Sequence, residues 1–194
     1  MYKIYCMAFV LVCGVLNPVG AAQKNSDIHI LFTQLNEPEA TNHAAQQILQ
    51  TARQNPPARD YIIEKLPDMI DKQTLDQVWL NAVRLAGKLK ASNSVPALIR
   101  ALPGSPFKPS VITFGTIMSL EADPVGNALA EIGDSAVPAL AVLLQHSGNE
   151  MDRWRAARIL WNIDSPSSRK VMRDDLQHES DPAIKQLTEG KSQQ

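Results

Sequence analysis

The chain has 194 residues, 44% hydrophobic and 5% aromatic, with 19 basic against 20 acidic side chains and a formal charge of −1. That length suits one domain, and a near-neutral, slightly acidic balance leaves no large electrostatic footprint for nucleic acid. Both cysteines, Cys6 and Cys13, fall in an apolar leader, so the remaining chain offers no disulfide, thiol or cysteine–metal chemistry and must be held by a hydrophobic core.

Residues 1–22 read as a signal peptide. Lys3 gives a short positive end, Ile4 to Leu16 an apolar run, Asn17-Pro18 a helix breaker, and Gly20-Ala21-Ala22 a small-residue cleavage site after Ala22. Loss of Lys3 takes the formal charge from −1 to −2. The expected product, residues 23–194, is exported to a periplasm or secreted. Two alternatives remain: an uncleaved anchor, with a run shorter than the ~20 residues of a spanning helix, or a lipoprotein acylated at Cys13. No membrane span is expected after cleavage.

Beyond the leader the apolar spacing is helical nearly throughout. Asp27 to Leu35 is a short amphipathic piece. Pro38 opens a helix through Ala52, and Pro56-Pro57 ends it and starts the next, which Pro67 should kink or end, with a last turn at Met69-Ile70 left open. Leu75 to Leu89 follows, then the turn Ser92-Asn93-Ser94 and a helix from Val95 to Leu102. Pro103 to Ser110 is proline-rich and irregular, either a tolerated insertion or a binding edge. Val111 to Leu120 is open between strand and helix. Pro124 to Ile132, Ser135 to Gln145, Glu150 to Ile163 and Ser165 to Gln177 continue the series, and Asp181-Pro182 opens a last short helix through Leu187, before a fraying tail.

Four segments align. Ala45-Ile48-Leu49-Ala52, Ala82-Leu85-Ala86-Leu89, Val125-Ala128-Leu129-Ile132 and Ala156-Ile159-Leu160-Ile163 follow one another at offsets of 37, 43 and 31 residues. Each leads through a short turn into a second helix. A two-helix unit cannot bury its apolar face alone, so stacking is expected. Two turns end in Val-Pro-Ala-Leu, at 95–98 and 137–140. There Pro96 and Pro138 open second helices, and Val95 and Val137, disfavoured in helical geometry before a proline, are expected at the boundary.

The stretches "NALAEIGDSAVPALAVLL" (Asn127 to Leu144) and "RWRAARILWNID" (Arg153 to Asp164) resemble HEAT repeats, of the bacterial HEAT-like kind named after phycobilin lyases. Asn81 to Leu102 is a second good match; Pro38 to Leu66 lacks Val-Pro-Ala-Leu. The resemblance implies an all-α fold, an α–α superhelix or HEAT-like α-solenoid of about four helix pairs with short capping helices. It says little of function, since such repeats serve many roles.

Candidate chemistry is sparse. His29, His43, His146 and His178 show no metal-ligand spacing; no catalytic residue, metal ligand or cofactor site is expected. Arg153, Arg155, Arg158, Arg169, Lys170 and Arg173 fall within 21 residues. At ~100° per residue, Arg155 and Arg158 occupy the polar strip of a helix whose wide apolar arc includes Trp154 and Trp161. Trp154, Arg155, Arg158, Arg169, Lys170 and Arg173 are therefore candidate partner-binding residues for an acidic protein or peptide, or else a solvated basic strip beside a packed tryptophan. The expected function is an exported, non-enzymatic scaffold for a protein or peptide, with no nucleic acid. A structural module of an envelope assembly and, by resemblance alone, a bilin-lyase-like ligand-binding role are the alternatives.

Overall fold

Prolines and short polar side chains write most of the helix starts. In the computed structural model, which describes residues 28–37, 40–72, 76–105, 120 and 122–192, all regular structure among the described residues is helical. The elements are α1 (28–35), α2 (Thr41–Gln54), α3 (Pro56–Asp71), α4 (Gln77–Lys88), α5 (Val95–Ala101), α6 (Pro124–Ile132), α7 (Val137–His146), α8 (Glu150–Ile163), α9 (Pro166–Asp175) and α10 (Pro182–Ser192). The side chains of Asn55, Asp76, Asp123, Asn149 and Ser165 each accept a hydrogen bond from a first-turn N–H, which satisfies donors that have no partner within the helix. Asp181 does the same for α10, from the N–H groups of Ala183 at 2.8 Å and Ile184 at 3.0 Å. Where proline follows the cap, as at Pro56, Pro124 and Pro166, its missing N–H is needed by nothing.

Three local expectations are refined. Val95 and Val137 do stand at the helix boundary, but their dihedrals are already helical, with φ −54°, ψ −47° and φ −55°, ψ −46°. Each follows a 3-10 turn, Ser92–Ser94 or Gly133–Ala136, so the chain runs into the helix through near-helical dihedrals and the valine is its first residue. Second, Pro67 does not end α3, which takes in the turn left open at Met69-Ile70 and runs to Asp71. Pro67 cannot donate to the Ile63 carbonyl, and Asn93 Nδ2 donates to that oxygen instead at 3.0 Å. The lost helical bond is replaced from the turn before α5. Third, α10 reaches Ser192, beyond Leu187.

The packing order follows the repeat. The four aligned segments lie in α2, α4, α6 and α8, and these touch in sequence, with α10 next on α8. The second helices α3, α5, α7 and α9 likewise touch in sequence. Two rows of helices thus share one core, in which Ile48, Ile62, Leu98, Leu129, Leu140 and Leu160 are fully buried. α4 approaches α6 closely at Gly87. A Cβ on Gly87 would stand 2.9 Å from the Ala128 Cα, so only glycine fits there. Between α3 and α4, Trp79 Nε1 donates to the Ile70 carbonyl at 3.1 Å and Arg59 Nη2 to the Leu89 carbonyl at 2.8 Å, satisfying C-terminal oxygens that helices leave open. Pro124–His146 is long and apolar enough to cross a membrane, with a mean hydropathy of 1.3. It comprises α6 and α7, broken at Gly133 (φ 80°), and its Val125, Leu129, Leu140 and Leu144 are buried in the shared core. The leader, residues 106–110 of the proline-rich stretch and residues 111–119 lie outside the described residues.

Candidate functional site

The arginine-rich segment divides into an interior and an exterior part. Arg155 and Arg158 are 2% exposed, which corrects the expectation that they form a solvated or docking strip. Arg155 donates to Asp123 through Nη2 at 2.8 Å and Nε at 3.3 Å, to the Ser105 hydroxyl at 2.7 Å, and to the Leu102 carbonyl. Arg158 Nη2 donates to the second oxygen of Asp123 at 2.6 Å. Asp123 is itself fully buried and also caps α6 through the Gly126 N–H at 2.9 Å. A buried charge must be paired and hydrogen-bonded to be tolerated, and here one carboxylate serves two guanidinium groups and a helix N-terminus. Burial pulls the Arg158 guanidinium below its ordinary basicity, and Asp123 opposes that shift. The cluster joins the end of α5, the start of α6 and the middle of α8, so its role is to clamp the array.

Trp154 is half-buried against the core, with the Arg158 guanidinium 5.0 Å from its ring centroid. Arg169, Lys170 and Arg173 remain on the outside of α9; Arg169 pairs with Asp164 and Lys170 with Asp174, both at 2.8 Å or less. The six candidate residues therefore do not form one surface.

The chemically unusual place lies beside them. A cleft of about 710 Å³ is lined by the last turn of α7 (Leu144, Gln145, His146), by Ser147-Gly148, by Arg153 of α8, and by Asp174 to Ser180 at the end of α9, save Leu176. Arg153 and Glu179 organise it. Arg153 Nη1 donates to the Ser147 carbonyl at 3.1 Å and its Nε to Glu179 Oε2 at 3.4 Å. Glu179 Oε1 accepts from the N–H groups of Ser180 at 2.7 Å and Asp181 at 2.8 Å. Asp175 has no comparable support. It is 5% exposed, and its Oδ2 is buried without a hydrogen-bond partner. Burial, then the nearby charge of Glu179, push its carboxyl up to about 6, against the smaller opposing pull of Arg153 and His178.

Its position is costly in a second way. Asp174 and Asp175 close α9, where the helix dipole favours cations. The C-terminal end of α7 lines the same cleft, so two negative helix ends and three carboxylates, of Asp174, Asp175 and Glu179, face one space with a single guanidinium. His146 and His178, 32 positions apart in the chain, meet here too. Sequence alone gives His146 and His178 no ligand spacing and does not single out Asp175 as a site residue. The only local signal was an acidic pair ending a helix. Among the described residues, no group of three or more His, Cys, Asp or Glu is arranged to hold a metal ion. No model of a known protein family matches the chain, and no curated protein matches it either.

Proposed function

We propose that this protein is an exported, non-enzymatic helical-repeat scaffold of the HEAT-like type, binding a protein or peptide partner. One observation carries the reading: the four segments that align in sequence are successive helices of one packed row, with their partners in the other. Repeats stacked this way build an extended surface from side chains of many units, which suits a macromolecular partner better than a small substrate. The leader at 1–22 supports export.

The test is made in the native host. The tagged chain is cross-linked in the envelope fraction, sized by chromatography and its components identified by mass spectrometry, including the N-terminal peptide. A stoichiometric complex and an N-terminus at Gln23 are the expected result. A monomer under all conditions, or an intact Met1, overturns the corresponding half of the proposal.

A further inference from the structure

We propose that the cleft between the C-terminal ends of α7 and α9 is the scaffold's recognition pocket for a basic side chain, a lysine ammonium or arginine guanidinium presented by a peptide segment of the partner. This rests on the scaffold reading above and adds to it a site and a chemistry. Asp175 carries the argument, because the residue lines the cleft and its Oδ2, just beneath that surface, is buried and unpaired. A buried acceptor left without a donor destabilises the fold, and a cationic donor entering the cleft would satisfy it. The field points the same way. Asp174 is paired with Lys170, but Asp175, Glu179 and two helix C-termini still outnumber Arg153, whose guanidinium is already held by Glu179 and the Ser147 carbonyl. The cleft is polar, and a charged donor gains strength where water is partly excluded.

The geometry also implies a pH dependence. A bound cation favours the ionised form of Asp175, which titrates near 6, so affinity is greatest above that pH and falls about tenfold by pH 5. The groups facing Asp175 are Glu179, Arg153 and His178, with His146 and Asp174 on the same wall.

The experiment uses the mature chain and a fluorescein-labelled octalysine peptide, with labelled octaglutamate and free spermidine as comparisons. Binding of octalysine at pH 7.5, at least tenfold weaker in Asp175→Asn and unchanged in Asp71→Asn, is the expected result. The asparagine keeps the shape and removes the unsatisfied anion, so the variant folds; a thermal melt checks this. Four outcomes overturn the proposal: no octalysine binding, equal weakening by Asp71→Asn, preference for octaglutamate, or spermidine binding without peptide binding. An envelope complex that forms equally well with Asp175→Asn rejects this site and leaves the scaffold reading standing. Octalysine binding without any envelope complex does the reverse.

Discussion

Two clusters of aspartate and arginine, both reached from α8, end in opposite states. At Asp123 one carboxylate meets two guanidinium groups and a backbone N–H, and both its oxygens are used. At Asp175 two carboxylates compete for one guanidinium, Glu179 takes it, and one buried oxygen has no donor. The same residue types make a clamp in one place and leave an unpaired oxygen beside an acidic cleft in the other. What separates them is the count of donors for each buried acceptor, since pairing decides whether a buried charge is tolerated.

The comparison can be broken by treating both aspartates alike. Asp123→Ala should give the largest effect, a loss of about 3–5 kcal/mol, because it strands two buried guanidinium groups and removes the α6 cap. Urea unfolding followed by circular dichroism measures it, and a loss under 1 kcal/mol would mean the clamp is incidental. Asp175→Asn should act with the opposite sign, raising stability by about 1–2 kcal/mol at pH 7. Its folded titration point lies above the unfolded value, so the fold favours the protonated form. Wild-type stability therefore falls as pH rises from about 4 to about 6. The variant's advantage should vanish below pH 4; melting temperatures at pH 3.5 and 7 make the comparison, and a destabilised variant at pH 7 would show that the anion is satisfied after all.

Two smaller effects sharpen the same rule. Asn93→Ala leaves the Ile63 carbonyl without its substitute donor and should cost about 1 kcal/mol; if the melt is unmoved, water serves that oxygen as well as Asn93 does. Lys170→Ala removes one member of an exposed pair with Asp174 and should change stability by less than about 0.5 kcal/mol. A larger loss would mean that the outer cations of α9 support the fold.

Much of the fold was legible in the chain. Proline placement, Asn, Asp and Ser caps and the Ala-rich repeat mark α2 to α9 to within a few residues, because capping and helical periodicity act over one or two turns. The misplacements were also local in kind but distant in cause. Pro67 interrupts α3 only if nothing replaces its hydrogen bond, and the replacement, Asn93, sits 30 positions away from Ile63. The polar strip of α8 looked solvated because a helical projection shows which residues share a face, not what packs against it. In the structure α6, α7, α9 and α10 all contact α8, and Arg155 and Arg158 point into that contact toward an aspartate more than 30 positions earlier.

By itself, then, the sequence determined an all-α fold class, its punctuation, its repeated helix pairs and a leader-like start, since each is written in neighbouring residues. Only the tertiary structure decided which charges are buried, and with what partners. That choice depends on donors and acceptors brought together from separate helices, and it turned the expected basic surface into an internal clamp beside an acidic cleft.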